Sequence, residues 1–302
     1  MKQSRPREIF ISFYPADPNI LAIKTSILIN QGFILWYSAE NFFDSGLLAG
    51  SRVEPLFSEI TYVWEILDHL EPFIRRELKG NVQALRQKGD LLAAPAAVLG
   101  DWVYQNVTYE LGDPQKGALK VFHEGRLLPG AALIMAGVCL CGDDIEIGQG
   151  ALVESGAMIK GPAIIGPRSE VRQGAYVRGA VMSLAGAVIG HATEAKNTLF
   201  LEGAKAGHFA YLGDSVLGLN VNLGAGTKLA NLKMNDQPYV FKFEGQRFVV
   251  KRRKFGAIIG DDTETGCNTV TNPGTLFGPR TRILPNSSPA PGYRPGDSFL
   301  SR

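Results

Sequence analysis

The sequence predicts a mainly β protein, a parallel β-helix of hexapeptide repeats behind a short α-helical front. Three patterns within residues 147–201 carry that prediction. Counting in sixes from Ile147 gives Val153, Ile159, Ile165, Val171, Val177, Ser183, Ile189, Ala195 and Leu201, and all but Ser183 and Ala195 are Ile, Val or Leu. The position two residues before each of these is usually small, as at Ala151, Ala157, Ala163, Ser169, Ala175 and Ala187. Glycine often follows the aliphatic residue, as at Gly148, Gly166 and Gly190. A period of six fits neither a helix nor an alternating strand; it marks a β-helix in which each hexapeptide makes one short strand and one turn. Three hexapeptides close a coil, and the aliphatic residues stack inward on those of the next coil. A single coil cannot bury its own core, so the repeat must run on.

The remaining elements follow in chain order. Residues 1–50 form a peripheral segment of about one strand and one helix. The apolar patches in 20–36 are interrupted by Lys24, Asn30 and Gln31, too broken for a membrane span. No clear cleavage site of a secretory leader follows the basic start. In 53–78 apolar residues recur at three and four (Leu56, Ile60, Val63, Trp64, Leu67, Leu70, Phe73, Ile74), which predicts an amphipathic helix within a helical region, 51–118, packing on the first coils. Ser58 is its candidate N-cap, Lys79-Gly80 its stop, and Pro72 should kink or divide it. Residues 102–109 and 118–122 are β-prone. The β-helix occupies 119–302. Its count slips by one at Leu212-Gly213-Asp214, resumes at Leu217 and Leu223, breaks at 233–253, and returns at Ile259, Thr265, Thr271, Phe277 and Ile283. The break alternates around Glu244-Gly245 and predicts a projecting hairpin. The Pro- and Gly-rich last stretch predicts an irregular tail.

Composition narrows the function classes. The 302 residues are 45% hydrophobic and 20% charged, with a net charge of +2 that gives no reason to expect nucleic acid. Three cysteines make no disulfide framework, and Cys139-x-Cys141 lacks a second ligand pair, so no metal is expected and a reducing cytoplasm is.

A fold of this kind does not assign an activity; the polar residues that interrupt the repeat are more telling. Residues 205–227, KAGHFAYLGDSVLGLNVNLGAGT, together with Arg172-Gln173-Gly174-Ala175, 254–262 and Ser301-Arg302, carry a resemblance that covers about residues 145–302. They resemble the acetyltransferase half of the bifunctional N-acetylglucosamine-1-phosphate uridyltransferase/glucosamine-1-phosphate N-acetyltransferase family, a left-handed β-helix. The resemblance implies acetyl-CoA as co-substrate, glucosamine 1-phosphate as acceptor, a homotrimer with active sites shared between subunits, and a place in UDP-N-acetylglucosamine and cell-envelope precursor synthesis. By the same resemblance His208 is the general base and Glu194 the carboxylate that works with it. Arg172 and Lys196 hold the sugar phosphate, Tyr211 and Asn222 contact the sugar, and Ala225, Asn231, Cys267 and Arg302 line the acetyl-CoA site.

The residue chemistry agrees in kind. Acetyl transfer from a thioester to an amine needs a base that is neutral near physiological pH, which suits His. A neighbouring carboxylate fixes the tautomer, turn N–H groups can hold an oxyanion, and a sugar phosphate asks for Arg or Lys. No metal is required. Other roles compete: Arg178 rivals the preferred Arg172, Asn222 and Asn231 could be turn residues, His191 is taken as one, and the basic run 251–254 is either a phosphate clamp or a solvated hairpin edge.

Several positions depart from the family. An extra repeat lengthens the Arg172–Lys196 spacing by six, Leu232 replaces an aromatic, Cys267 replaces a serine, and the 233–253 insertion is longer than the family's loop. At the front, Leu47-Leu48-Ala49-Gly50-Ser51-Arg52 only faintly echoes the Gly-rich loop of the uridyltransferase half, so no nucleotidyltransferase domain or uridyltransferase activity is expected. The competing functions are a hexapeptide acyltransferase with another, nucleotide-linked sugar acceptor and a non-catalytic sugar-nucleotide-binding trimer. The partners expected are small molecules, with neither nucleic acid nor membrane.

Overall fold

The computed structural model describes residues 8–11, 37–87, 89–243 and 246–301. Its centre is a parallel β-helix of nine coils with three flat faces. Face A stacks nine parallel strands, from Ala132–Ile134 through Leu152–Val153, Glu170–Val171, Val188–His191, Lys205–His208 and Asn222–Leu223 to Phe299–Leu300, one for each coil. Face B includes Cys139–Cys141, Met158–Lys160 and Tyr176–Arg178; face C includes Ile145–Ile147, Ala163–Ile165 and Val181–Ser183. The inward column is the predicted one: Ile147, Val153, Ile159, Ile165, Val171, Val177 and Ile189 are all buried in one core.

The count first slips one step earlier than the sequence suggests. Val177 pairs with Ala195, but Ser183 pairs with Phe200, so Phe200 turns inward and Leu201 joins a second core outside the coil. Strands Glu194–Phe200 and Tyr211–Leu217 both run from face B into face C, and their corners hold Asn197 and Asp214 at φ 46° and 49°. The coil beneath turns its corner with both Gly179 and Ala180 at positive φ. A single left-handed residue closes the shorter corner, and Asn and Asp tolerate that conformation better than most side chains.

Face C is apolar outside as well as inside. Ile164, Met182, Leu199, Val216, Ile258 and Leu276 form an outward ladder, register partner on register partner, and all are buried. A half-solvated sheet would alternate polar residues at these positions, so the ladder requires a cover. The front of the chain supplies it. The predicted helix is three pieces, Glu54–Ser58, a 3-10 turn Val63–Glu65 and Ile66–Glu77. The division falls at 59–62, before Pro72. Ser58 ends the first piece, its hydroxyl donating to Glu54 O, while Glu65 caps the second by accepting from Thr61 N and Tyr62 N. Pro72 sits on the exposed side of the last piece, and the helix runs on through it. Leu67, Leu70, Phe73 and Ile74 face inward, and the helix lies against the third to fifth coils, not the first. Arg52 bridges to Glu146 at 2.5 Å at the bottom of the ladder.

The insertion joins this cover instead of projecting. Tyr239–Phe243 and Gln246–Val250 pair as the predicted hairpin, with residues 244–245 outside the described set, and Glu8–Ile11 adds a parallel third strand. Tyr239, Phe241, Phe248 and Val250 enter the second core beside Tyr37 and Trp64, whose rings stand 5.3 Å apart. Residues 37–43, expected to be peripheral, are therefore central: Tyr37 and Phe42 are fully buried. Of 1–36, all but 8–11 lies outside the described residues.

Within 81–131 strands replace much of the expected helix. Val82, Leu85, Leu92 and Val98 plug the open end of the first coil. Ala96–Leu99 pairs antiparallel with Ala132–Ile134 and with Trp102–Gln105. A small sheet, Thr108–Glu110, Lys120–His123 and Arg126–Leu127, covers the outside of face A over the first coils through Val107, Val121 and Leu152. At the other end the expected irregular tail continues the coil, as Gly292–Arg294 and Phe299–Leu300 extend faces C and A.

Candidate functional site

The edge between faces A and B carries a column of turn residues. Successive N–H to O=C bonds join Ala192 to Gln173, Phe209 to His191, Gly226 to His208, Asn268 to Ala225 and Asn286 to Cys267, each between 2.8 and 3.2 Å. His208, Ala225 and Cys267 therefore stand above one another on a single edge. His208 ends the strand Lys205–His208 and is exposed, and its ring makes no hydrogen bond among the described residues. Phe209, the next residue, has φ 51° and is 56% exposed; its ring meets His191 edge-on at 5.2 Å. His191 is tied down by Nδ1 to Gln173 O at 2.8 Å, which suits the turn role assigned to it.

Around that edge, face B presents polar and aromatic side chains in register: Tyr176, Glu194, Tyr211 and Lys228 form one outward row. Glu194 lies one coil below Tyr211, on the face that begins at the His208 edge. Among the described residues its ion partner is Arg178, at 2.5 Å, and not His208. Arg178 also lies over the Tyr176 ring, 5.8 Å from its centroid. The Glu194 charge adds to burial in raising the Tyr211 phenol above its ordinary range.

Farther across face B a buried carboxylate organises the surface. Asp214 accepts from Asn231 Nδ2 at 2.6 Å and from Asn197 Nδ2 at 2.9 Å, and Asn231 Oδ1 accepts from the Tyr211 hydroxyl at 3.3 Å. Asn197 also donates to Leu67 O of the covering helix at 3.3 Å. The two short corners thus bring Asn197 and Asp214 together and lock Asn231, only 8% exposed, against Tyr211. Gly213 makes the approach possible, since a Cβ there would lie 2.4 Å from Asn231 Nδ2 and 2.8 Å from the Tyr211 hydroxyl.

The structure brings together Glu194, Lys196, Tyr211 and Asn231 on face B, with His208, Ala225 and Cys267 on its edge. Asn231 thereby falls with Tyr211 and Asp214, away from the Ala225–Cys267 edge. Arg172 and Asn222 lie on face A. Arg172 Nε donates to Glu170 at 2.7 Å and lines a groove with Gln115 and Lys205, while Asn222 is exposed one coil above Lys205. Arg178, the rival of the preferred Arg172, is the cation that pairs with Glu194 and shares a groove with Lys196. Tyr176 pairs with Glu194 and Val177 with Ala195, so Arg178 and Lys196 stand one coil apart. Arg302 lies outside the described residues. Sequence reasoning missed Asp214, although it marks one of the two slips in the count.

The other edge of face B, toward face C, opens into a groove of about 400 Å³ lined by Arg178, Lys196 and Asp214 and walled by Asp68, Glu71 and Arg75 of the helix. Arg75 is paired with Glu71 at 2.8 Å, and Asp68 with Arg252. Among the described residues no cluster of three or more His, Cys, Asp or Glu is arranged to hold a metal, and no helix is long and apolar enough to cross a membrane.

No protein-family profile matches the chain. It is 41% identical over 85 residues to the bifunctional sugar-1-phosphate nucleotidylyltransferase/acetyltransferase of Sulfurisphaera tokodaii, covering 28% of this chain and 21% of that protein. It is 39% identical over 82 residues to the bifunctional protein GlmU of Methanococcus vannielii, covering 27% and 20%. Among solved structures it is similar to Arabidopsis UDP-N-acetylglucosamine acyltransferase (TM-score 0.33, 12% identity, 56% of this chain and 69% of that one). It is also similar to GDP-perosamine N-acetyl transferase from Caulobacter crescentus (TM-score 0.25, 14% identity, 52% and 51%). Over little more than a quarter of its length, then, the chain resembles bifunctional sugar-1-phosphate nucleotidylyltransferase/acetyltransferases, and it spans about a fifth of the length of these relatives.

Proposed function

We propose that the protein is a cytoplasmic acetyl-CoA-dependent N-acetyltransferase acting on the amine of an amino sugar that carries phosphate at C1, glucosamine 1-phosphate being the first acceptor to test. The observation that carries this reading is the placement of His208. Its free imidazole stands at the margin of a face bearing Glu194, Arg178, Lys196, Tyr211 and Asn231, below the edge residues Ala225 and Cys267.

The chemistry follows from that placement. Acetyl-CoA lies along the Ala225–Cys267 edge and the sugar lies across face B. The sugar nitrogen attacks the thioester carbonyl, the C–N bond forms, and His208 takes the proton the nitrogen loses. The C–S bond then breaks, and the imidazolium returns that proton to the departing thiolate, so atoms and charge balance. Turn N–H groups supply the oxyanion donors. Arg178 and Lys196 hold the phosphate, where the planar fork of Arg178 favours two parallel bonds. Glu194, paired with Arg178 before the acceptor binds, orients that guanidinium and puts negative charge on the face that begins at the His208 edge. Tyr211 and Asn231, fixed by Asp214, contact the sugar. Arg172 and Asn222 lie on a different face. They serve a site when face A of one subunit meets face B of the next, as a homotrimer with shared sites would arrange.

Thiol release from acetyl-CoA, measured across a panel of amino-sugar phosphates with wild type and His208→Ala side by side, tests the proposal. Release that depends on the amino sugar and falls at least ~100-fold in the variant is expected. No release with any amino sugar favours the non-catalytic binding trimer, and release unchanged in His208→Ala removes the base from the scheme.

A further inference from the structure

The groove beside Lys196 continues past the place a single phosphate needs. Its walls include Asp68 and Asp214, and the same two residues line a second groove of about 320 Å³ with Lys251, Arg252, Arg253 and Lys254. Sharing these two walls, the grooves adjoin as two parts of an interrupted channel along the edge joining faces B and C, bordered by the helix Ile66–Glu77 and the insertion.

The charges in the channel are unevenly matched. Asp68 is committed to Arg252, Glu71 to Arg75, and Asp214 to the amides of Asn197 and Asn231. Lys196, Lys251, Arg253 and Lys254 have no carboxylate within ion-pair distance among the described residues, and the last three are exposed. Four unpaired cations thus line the two grooves, against one carboxylate, Asp214, that has amide partners and no cation. Such an arrangement attracts more negative charge than one phosphomonoester carries.

Distance separates the cations into two groups. Lys254 flanks the sixth coil, where Leu232 bridges to it and Phe255 N donates to Asn231 O, whereas Lys196 belongs to the fourth. At ~4.8 Å per strand the two positions are roughly 10 Å apart along the axis. A phosphate held by Arg178 and Lys196 leaves the upper cations empty, and a second phosphate linked to it reaches toward them. The channel lies on the opposite edge of face B from Ala225 and Cys267, which places it at the acceptor's phosphate end and away from the thioester.

We infer that this channel is a diphosphate subsite, so that the acceptor range extends to nucleoside-diphosphate amino sugars, with the first phosphate at Arg178 and Lys196 and the second at Lys251 and Lys254. The inference rests on the proposed acetyl transfer. It names a substrate class for that site. Coenzyme A also carries a diphosphate, so the test must tell the two sources apart.

The experiment compares glucosamine 1-phosphate with UDP-glucosamine as acceptors for wild type and for the double variant Lys251→Ala/Lys254→Ala, neither residue being in the proposed catalytic set. Equilibrium binding of UDP is measured by calorimetry in parallel. The expected result is turnover of UDP-glucosamine with a kcat/KM that drops at least ~10-fold in the variant. The value for the monophosphate and the KM for acetyl-CoA stay within about twofold, and saturable UDP binding is lost. Turnover of the monophosphate alone, equal loss for both acceptors, or a rise confined to the KM for acetyl-CoA overturns the inference. Should neither acceptor be acetylated by wild type, the proposed activity fails. The subsite is then judged by calorimetry alone: UDP binding abolished in the variant supports it, and absent or unchanged binding rejects it.

Discussion

Replacing Gly213 by alanine tests whether the face-B network positions reacting groups. The backbone accepts the change, because Gly213 is not in the left-handed region. Space does not. The new methyl carbon would stand 2.4 Å from Asn231 Nδ2, 2.7 Å from its Cγ and 2.8 Å from the Tyr211 hydroxyl. Ordinary carbon contacts begin near 3.5 Å, so Asn231 must retreat by about 1 Å. It cannot do so without stretching its 2.6 Å bond to Asp214 and its 3.3 Å bond to Tyr211. Misplacement of a positioning group by about 1 Å can lower a rate ~100-fold. The expected outcome is therefore a fall in acceptor kcat/KM of about 10- to 100-fold, measured by thiol release, with circular dichroism close to wild type and stability lowered by about 1–3 kcal/mol. Wild-type kinetics in a folded Gly213→Ala protein would refute the reasoning, because Asn231 and Tyr211 would then have no part in holding the sugar.

Three further outcomes follow from other parts of the molecule. Arg178→Ala should raise the acceptor KM by ~10-fold or more, as expected for loss of charge-assisted bonds to phosphate, and by more than Arg172→Ala does; steady-state kinetics on both variants decides it. Leu199→Ala, at a fully buried rung of the outward ladder, should destabilise the protein by about 2–5 kcal/mol in denaturant unfolding, and a surface-like effect below ~0.5 kcal/mol would show that the ladder is not a packed core. Burial raises the Asp261 carboxyl to about 6 although it accepts from Asp44 N and Leu219 N. Its folded value lies above the ordinary 3.8, so the folded state binds the proton more tightly; this contribution is fully present at low pH and is lost as pH rises from about 4 to about 6, on the order of 3 kcal/mol. A carbon-13 titration of the Asp261 carboxyl with a midpoint near 4 would contradict it.

Where one physical rule dominates, the sequence was informative. The inward column obeys the sixfold count because every coil must bury the same kind of residue in the same place, so Ile147 through Ile189 and Ile259 through Ile283 were legible. Corners are decided by backbone conformation, and a single left-handed Asn can drop a residue without disturbing the hydrophobic rhythm; the slip at Asn197 was therefore hidden, and Leu201 was misplaced. The outer ladder of face C looks, in sequence, like ordinary tolerance of aliphatic residues beside the inward position, and only its cover explains it. Motif resemblance pointed to His208, Glu194, Lys196 and Tyr211, which lie on face B and its edge. The choice between Arg172 and Arg178 depended on which face each side chain leaves, and the helix wall at Asp68 depended on where a distant segment docks. Neither is encoded in local spacing.

Tyr37 and Tyr293, close to opposite ends of the described chain, stand 5.6 Å apart in the second core. On a ribosome the aromatic side chains of 37–74 emerge first, yet the surface they seal consists of strands made afterwards. At roughly 5–20 residues per second, that greasy front waits unsheltered for tens of seconds. Coils can add to one another as they appear, each resting on its predecessor, but the cover can only be set in place once the last rungs exist. Newborn copies of this protein should therefore lean on a holding chaperone early in translation, and gain protease resistance in the front segment only after the final coils have left the tunnel.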